Sequence, residues 1–264
     1  MNILLDRAAR PVIGHRGNRA HAPENTLESF AQAVALGADA IELDVHISSD
    51  GIPVVMHDPD VRRTTDGSGE VASMTFSELR ELDAGARFTT DDGKTFPYRG
   101  KGHRIPSFDE VLEAFPSTPT LIEIKTRAAS MAVRRSIEAH RAEARVVADS
   151  LDGAALAMFT DTNIPVGASR ADVIRLMSEV LLGFPLTPFA YRALCVPISY
   201  RGLRVPIRKF AKVAPKQNCV VHIWTINEAD VATKLWLDGV QGIITDDPAI
   251  MLRTRERLSV PSPD

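Results

Sequence analysis

The stretch AIELDVHISSDGIPVVMH, residues 40–57, decides the fold. It contains two apolar runs that are joined by only five residues. A parallel crossover needs a dozen residues or more, so the two runs must pair as an antiparallel hairpin. The Asp50-Gly51 dipeptide in the connection is typical of a hairpin turn. Folding the chain about this turn brings His57 opposite Asp44.

One of the strand candidates therefore belongs to the hairpin and not to the parallel sheet. Nine short runs, several of them rich in β-branched residues, have the character of buried strands. With residues 53–57 committed to the hairpin, eight runs remain, and they alternate with amphipathic segments. This alternation predicts an α/β protein with a parallel sheet, and eight such units close a TIM (β/α)8 barrel. The predicted barrel strands are residues 11–15, 40–47, 120–125, 145–148, 165–168, 194–198, 220–226 and 242–245.

Capping signals mark where the intervening helices begin. Thr75 and Ser107 each precede a glutamate by three residues, which is the capping-box pattern. Asn227 is expected to cap the helix that follows it, and Gly239 to end that helix. The longer helices are predicted at residues 26–36, 128–144, 152–158, 171–182, 206–214 and 228–238.

The composition is that of an ordinary globular protein. The 264 residues are 44% apolar and 25% charged, and the formal net charge is −3. These values exclude disordered and collagen-like classes and argue against a nucleic-acid binder that relies on a basic surface. The length suits two small domains or one barrel of roughly 250 residues. The strand–helix alternation favours a single domain over residues 1–264.

One stretch interrupts this alternation. Residues 58–106 are polar and rich in Gly, Asp and Arg, and they contain one short helix pattern near residues 76–82. We expect a small insertion over the barrel mouth, without a second independent core.

Cysteine content and hydropathy bear on the cellular location. Cys195 and Cys219 do not form a Cys-x-x-Cys pair, and we expect both to be buried free thiols. The apolar run at the N-terminus is too short for a secretory signal. No stretch approaches the ~20 apolar residues that span a bilayer. These features predict a cytoplasmic protein without a transmembrane segment.

Two of the predicted barrel strands carry charges on one face. Side chains alternate along a strand, so Glu42 and Asp44 point the same way from roughly 7 Å apart. Glu123 and Lys125 share a face in the same manner. In a barrel these faces meet at the C-terminal mouth, where active sites of this fold lie. Three converging carboxylates suit Mg²⁺ or Ca²⁺, although the spacing alone favours a buried ion-pair network equally.

Two histidines lie at strand ends on the same mouth. His15 ends the first strand and precedes Arg16, and His57 ends the hairpin. Imidazole is the natural acid–base group near neutral pH, and a guanidinium matches phosphate oxygens. One histidine at such a position is usually structural. Two of them, with an arginine and an acidic cluster, indicate catalysis.

These segments resemble the glycerophosphodiester phosphodiesterase family. The matches follow the family's order between residues 11 and 248, so the resemblance covers nearly the whole chain. The family fold is a TIM barrel with an insertion near the mouth, in agreement with the strand order above. The matching motifs are Gly14-His-Arg-Gly17 with Pro23-Glu-Asn-Thr26, Glu42-Leu-Asp44, residues 50–58, residues 104–110, Glu123-Ile-Lys125, Trp224-Thr-Ile-Asn227 and residues 242–248.

The resemblance implies a reaction and a role for each residue. The reaction is metal-dependent hydrolysis of a small glycerophosphodiester to an alcohol and glycerol 3-phosphate. The cation is Mg²⁺ or Ca²⁺, with Mn²⁺ as an alternative. Glu24 and Asn25 are expected to brace the loop after the first strand and to cap its helix. The implied roles are acid–base catalysis for His15 and His57, cation binding for Glu42, Asp44 and Glu123, and substrate binding for Arg16, Lys125 and Trp224.

Two other functions remain open at this point. The first is a lysophospholipase D-like or sphingomyelinase D-like phosphodiesterase on the same scaffold. Residues 180–188, VLLGFPLTP, would then form an apolar wall for a lipid tail, although a loop that covers the core is the simpler interpretation. The second is a non-catalytic binder of phosphorylated ligands, which the presence of both His15 and His57 disfavours.

Overall fold

The computed structural model describes residues 2–259 and confirms the TIM barrel. The strands are β1 (Val12–His15), β2 (Ala40–Ile47), β3 (Pro53–Val55), β4 (Thr120–Ile124), β5 (Val146–Asp149), β6 (Ala193–Pro197), β7 (Ser199–Tyr200), β8 (Leu203–Arg204), β9 (Val220–Trp224) and β10 (Gly242–Thr245). Parallel pairing runs in the order β5-β4-β2-β1-β10-β9-β6.

Residues 165–168 hold the eighth position of the barrel, between β5 and β6. The backbone N–H of Ala148 donates to the Pro165 carbonyl at 2.9 Å, and that of Ala168 donates to the Ala193 carbonyl at 2.9 Å. The pairing consists of isolated parallel bridges instead of a continuous ladder. The predicted strand at this position is therefore present in its shortest form, and it closes the barrel.

The hairpin that the five-residue connection predicted is confirmed. β3 pairs antiparallel with β2, with Val45 opposite Val55. Gly51 has φ 84° in the turn, a conformation that favours glycine. The backbone N–H of Met56 donates to the Asp44 carbonyl at 3.0 Å, so Met56, and not His57 as predicted, lies opposite Asp44, and His57 follows one residue later.

The helices are α1 (Leu27–Ala35), α2 (Phe76–Glu81), α3 (Phe108–Ala114), α4 (Arg127–Ala139), α5 (Gly153–Leu156), α6 (Arg170–Leu182), α7 (Ile207–Val213), α8 (Ala229–Leu237) and α9 (Pro248–Ser259). Both predicted capping boxes are present, at Thr75 and Ser107. The sequence pattern predicted neither α9 nor the short β7–β8 hairpin. Within residues 2–259, no helix has the length and hydropathy to cross a membrane.

Residues 58–106 contain α2, two short 3-10 turns and irregular loops. Their buried side chains form one small apolar cluster, and this cluster includes Val54 and Met56 from the β3 region. The segment is therefore packed onto the barrel through the hairpin. The cluster is completed by Val61, Val71, Leu79, Ala84 and Ile105.

The barrel interior changes from apolar to charged between its floor and its mouth. Along β2 the inward side chains are Ala40, then Glu42, then Asp44, and along β4 Leu121 is followed by Glu123. The floor cluster also contains Leu4, from a 3-10 turn at Ile3–Leu5. The period-two alternation of the strands thus delivers the polar residues to one end of the barrel.

Candidate active site

Three carboxylates meet at the mouth of the barrel. Glu42 and Asp44 lie on β2, and Glu123 lies on the neighbouring β4 as the register partner of Asp44. One oxygen of each carboxylate lies within 4.8 Å of the others. Glu42 and Asp44 are only 5% and 1% exposed, whereas Glu123 is half-buried. The structure thus brings together the carboxylates that strand alternation predicted to share one side.

Two cations and an amide surround Asp44. Lys125 Nζ lies 2.8 Å from Asp44 Oδ1 and 2.9 Å from Glu123 Oε2. Arg16 Nε lies 3.1 Å from Asp44 Oδ2, to which Asn25 Nδ2 donates at 2.9 Å. Burial by itself would raise the pKa of Asp44, but the charges of Lys125 and Arg16 hold this pKa below its usual range. Asp44 is therefore an ionised, well-supported carboxylate.

Glu42 has much less support. Its Oε2 accepts the backbone N–H of Arg16 at 3.0 Å, and it has no ion pair among residues 2–259. Burial and the charge of Asp44 raise the pKa of Glu42 well above its usual range. A buried carboxylate in this position is costly unless a cation neutralises it. The site offers only oxygen ligands, and the carboxylate of Glu42 lacks a positive partner. Both features fit a hard divalent cation.

His15 is held by a carboxylate from the other end of the chain. Its Nδ1 lies 2.6 Å from Asp246 Oδ1, so Nδ1–H donates to Asp246 and the Nε2 lone pair is left for the cavity. Burial lowers the pKa of His15, although Asp246 opposes the shift. Burial by itself would raise the pKa of Asp246, but its interactions with His15 and Asn227 lower this pKa to about 2.

His57 has a similar partner but a more open position. Its Nδ1 lies 2.6 Å from Asp58 Oδ1, and Arg63 Nε binds the other oxygen of Asp58. The side chain of His57 is 34% exposed, against 11% for His15. Both predicted catalytic histidines thus have Nδ1 paired with a carboxylate.

The loop after β1 places Arg16 over the carboxylates. Arg16 and Gly17 have φ of 53° and 91°, and a Cβ at Gly17 would meet the Ser29 backbone at 2.5 Å. The turn therefore requires glycine at this position. Glu24 accepts from Arg16 Nη1 at 2.8 Å, and it also binds Arg19 and Arg63. The expectation that Glu24 braces this loop is confirmed.

Two predicted helix caps are wrong, and both asparagines serve the site instead. Thr26, and not Asn25, caps α1 by accepting the backbone N–H of Ser29. Asn227 does not cap α8; its Nδ2 donates to Asp246 Oδ2 at 2.9 Å, and its Oδ1 accepts the backbone N–H of Asp246. Each side chain binds a carboxylate, which is buried in Asp44 and half-buried in Asp246, and a local capping rule does not predict this.

One cavity of about 190 Å³ at the mouth contains most of the predicted site residues. Asp44 lies beneath this cavity, in contact with Lys125 and Arg16. Sequence reasoning did not find Asp149, a buried wall residue whose pKa is raised by burial and by Glu123 to about 7. The lining consists of His15, Arg16, Glu42, His57, Leu121, Glu123, Lys125, Asp149, Leu151, Cys195, Trp224 and Ile244.

A larger cavity, of about 570 Å³, adjoins the first between residues 58–106 and the start of α9. It shares Arg19, Glu24 and Asp246 with the supports of the site, but no histidine or lysine lines it. The smaller cavity is therefore the candidate active site. Residues 180–188 line neither of these cavities, so neither cavity supports the apolar wall for a lipid tail that the sequence suggested there.

Three comparisons with known proteins indicate the same family. The model of the glycerophosphoryl diester phosphodiesterase family matches residues 15–250. A glycerophosphodiester phosphodiesterase of Caldanaerobacter subterraneus subsp. tengcongensis is 30% identical over 259 residues, covering 91% of this chain and 96% of that protein. The solved structure of an Oleispira antarctica phosphodiesterase with the product sn-glycerol-3-phosphate has a TM-score of 0.76 and 25% identity, covering 94% of this chain and 97% of that one.

A glycerophosphodiester phosphodiesterase of Thermotoga maritima has a TM-score of 0.68 and 27% identity, covering 94% of this chain and 98% of that one. Fold and relatives together define a TIM-barrel phosphodiesterase. The chain belongs to the glycerophosphoryl diester phosphodiesterase family, which confirms the resemblance seen in the motifs.

Proposed function

We propose that this phosphodiesterase hydrolyses glycerophosphodiesters to an alcohol and glycerol 3-phosphate, with a bound divalent cation and two histidines as acid and base. The observation that carries the proposal is the single cavity lined by both imidazoles and by two of the three clustered carboxylates. The product in the Oleispira antarctica structure, sn-glycerol-3-phosphate, supports this choice of substrate.

Glu42, Asp44 and Glu123 would hold the cation, which is Mg²⁺ or Ca²⁺, with Mn²⁺ as an alternative. Their oxygens are close enough for one ion, and the uncompensated charge of Glu42 supports its presence. When bound, the cation supplies charge neutralisation for the phosphodiester oxygens.

His15 and His57 would exchange the protons. Each ring has Nδ1 paired with a carboxylate at 2.6 Å, so Nε2 is the atom that accepts or gives a proton in the cavity. One histidine deprotonates the attacking hydroxyl, and the other protonates the leaving alkoxide. This division of roles explains why the enzyme would need two imidazoles in one small cavity.

Arg16, Lys125 and Trp224 would bind the substrate. Arg16 and Lys125 line the cavity with their positive charges, which suit the nonbridging phosphate oxygens. Trp224, at the end of β9, offers an aromatic surface for the organic part of the substrate.

Two further predictions complete the proposal. The chain acts as a single catalytic domain over residues 1–264, with residues 58–106 as an insertion, and the shared apolar cluster supports this organisation. The protein is cytoplasmic, and the buried free thiols of Cys195 and Cys219 are compatible with a reducing compartment.

A substrate panel with and without chelator tests the proposal. Glycerophosphocholine and glycerophosphoethanolamine should release glycerol 3-phosphate, measured by a coupled enzymatic assay. Exhaustive EDTA treatment should abolish turnover, and Mg²⁺, Ca²⁺ or Mn²⁺ should restore it. Full turnover in the chelated enzyme would contradict the cation assignment, and release of phosphocholine and glycerol would contradict the bond that is cleaved.

A further inference from the structure

The segment 180–227 has a charge balance unlike that of the remaining chain. It contains seven basic residues and no Asp or Glu, whereas the other residues contain 24 basic and 34 acidic groups. Such asymmetry points to an anionic partner. The seven basic side chains are all exposed: Arg192, Arg201, Arg204, Arg208, Lys209, Lys212 and Lys216.

Most of this charge is not neutralised within the protein. Arg208 pairs with Asp238 at 3.1 Å, and Lys209 Nζ donates to the Val180 carbonyl at 2.9 Å. The other basic side chains of the segment have no ion pair within residues 2–259, so their charge is available to a partner.

The same segment concentrates exposed apolar side chains. Of the thirteen exposed large hydrophobic residues in the described chain, six lie between residues 180 and 204. Isolated exposed apolar residues are common, but a cluster of them marks an interaction surface. The six are Leu181, Leu182 and Phe184 at the end of α6, and Ile198, Tyr200 and Leu203 in or next to the β7–β8 hairpin.

The β7–β8 hairpin separates these two properties onto different faces. Tyr200 pairs with Leu203, and Ser199 pairs with Arg204. Cross-strand partners share a face, so the tyrosine and leucine lie on one side of the hairpin and Arg204 on the other. Leu203 is 66% exposed and Tyr200 39% exposed, so the apolar face has no cover in the described structure. Arg201 lies in the turn and contacts the Tyr200 ring at 5.6 Å.

The hairpin lies beside the catalytic mouth. It follows the carboxyl end of β6, whose last residue, Pro197, is the register partner of Trp224. Trp224 and the 43% exposed Leu151 both line the candidate active site. The contact between Lys209 and Val180 joins the hairpin and α7 region to the apolar end of α6. The hairpin, with its exposed arginines and exposed apolar side chains, thus forms an outer surface beside the mouth.

We propose that this surface, residues 198–209, docks onto an anionic lipid bilayer, with Tyr200 and Leu203 inserted among the head groups. Basic residues near a bilayer are attracted to anionic lipids, and exposed aromatic and aliphatic side chains insert at the interface. A nucleic acid would match the charge but would leave the apolar face of the hairpin exposed. A bilayer matches both properties.

Docking would bring the active site to phosphodiesters in the membrane, among which lysophospholipids have a free glycerol hydroxyl, as the soluble glycerophosphodiesters do. This part rests on the proposed function, whereas docking itself does not. The two can be measured separately, because vesicle binding needs no substrate.

Vesicle flotation tests the docking. The probes are vesicles of phosphatidylcholine alone and vesicles of phosphatidylcholine with phosphatidylserine in a two-to-one ratio, at low and high salt. We expect binding only to the anionic vesicles, and weaker binding at high salt because surface charges are screened. The double variant Arg201→Glu/Arg204→Glu should bind roughly tenfold more weakly or worse, and Tyr200→Ser/Leu203→Ser should also bind more weakly.

The matched control is Arg135→Glu/Arg253→Glu, which makes the same charge change at exposed positions on α4 and α9. It should bind like the unmodified protein. Equal binding by the Arg201/Arg204 variant and this control would overturn the proposal. Binding that depends on the arginines but not on Tyr200 and Leu203 would assign the surface to polyanions in general and would also overturn it.

The catalytic consequence has its own readout. All variants should hydrolyse soluble glycerophosphocholine at the unmodified rate, because none of the changed residues lines the active site. With a lysophospholipid in anionic vesicles, the Arg201/Arg204 variant should be slower than the control variant by the same factor as its loss of binding. Vesicle binding without turnover of either substrate would contradict the proposed function and leave docking supported.

Discussion

The mouth and the floor of the barrel both bury a histidine, and the two rings have different partners. At the mouth, His15 Nδ1 lies 2.6 Å from the carboxylate of Asp246. Nearer the floor, His222 Nε2 donates to the backbone carbonyl of Leu4 at 2.8 Å. Burial lowers the pKa of both rings, and it lowers that of His222 to about 4. A carboxylate can stabilise a transient imidazolium, whereas a lone carbonyl only fixes a neutral ring. The partner, and not burial, therefore separates a catalytic histidine from a structural one.

The largest effect is expected for the mouth histidines. His15→Ala and His57→Ala should each reduce kcat on glycerophosphocholine by a factor of roughly 10² or more, because each removes an acid–base group. The double variant should be scarcely worse than either single variant, since groups that act as a unit are not additive. Steady-state kinetics with circular dichroism as a folding control would measure this.

A substrate with a leaving group of low pKa divides the roles. A p-nitrophenyl phosphodiester needs little protonation of its leaving group, so it should restore turnover to the variant that lacks the general acid and not to the other. Near-normal turnover by both His15→Ala and His57→Ala on glycerophosphocholine would rule out the acid–base pair.

The next effect concerns Asp44 and Glu42 at the mouth. Neutralising these two carboxylates should change the free energy of unfolding in opposite directions. In chelated protein, Asp44→Asn should lower the free energy of unfolding by roughly 3 kcal/mol, because the buried side chains of Lys125 and Arg16 each lose one of their two carboxylate partners. Glu42→Gln should raise it, by about 1 kcal/mol, because it removes a buried carboxylate that lacks an ion pair while the amide oxygen still accepts the Arg16 N–H.

Urea denaturation of both variants in EDTA measures these changes. Calorimetric titration with Mg²⁺ and Ca²⁺ should show weaker cation binding in both variants. In Glu42→Gln, stability should therefore rise while cation affinity falls. If both variants were destabilised, or both stabilised, the conclusion that Asp44 is neutralised by nearby cations and Glu42 is not would be wrong.

How much of this could be predicted from the sequence depends on how local the physical cause is. Strand alternation is local, and it predicted that Glu42, Asp44 and Glu123 converge. The short connection to β3 likewise predicted the hairpin that returns His57 to the mouth.

The partners of these residues are not local, and here sequence reasoning failed. His15 and Asp246 are 231 positions apart, and Asn227 binds Asp246 although a local rule makes it a helix cap. The tertiary structure around the half-buried Asp246 decides which of two hydrogen-bond partners this asparagine takes. Alternation places His222 and His15 alike inside the barrel, and only the folded structure shows which one has an acidic neighbour.

The floor histidine should affect stability instead of catalysis. Its pKa is about 4 in the folded protein against about 6.5 when unfolded, so the unfolded state binds more protons between these values. This contribution is fully present above pH 6.5 and is lost as the pH falls towards 4, by about 2 kcal/mol near pH 5. His222→Gln should remove this part of the pH dependence, because the glutamine amide can donate to the Leu4 carbonyl without titrating.

Denaturation of the unmodified protein and the variant at pH 7 and about pH 5 tests this difference. The exposed His21→Gln is the matched control and should keep the unmodified slope. Glycerophosphocholine turnover at pH 7 should be unchanged in His222→Gln, and a loss comparable to that of His15→Ala would show that the floor and mouth are not functionally separate.

The smallest effect compares the two tryptophans. Trp224 lines the candidate active site, whereas Trp236 on α8 is 2% exposed and its Nε1–H donates to the Gln241 carbonyl at 3.1 Å. If Trp224 contacts only the organic part of the substrate, Trp224→Ala should raise KM roughly three- to tenfold with little change in kcat, because the lost contact is made equally in the ground and transition states. Trp236→Phe should lower thermal stability and leave KM unchanged, since it loses a buried hydrogen bond far from the cavity. A fall in kcat for Trp224→Ala with unchanged KM would instead place this ring among the groups that position the reacting phosphate.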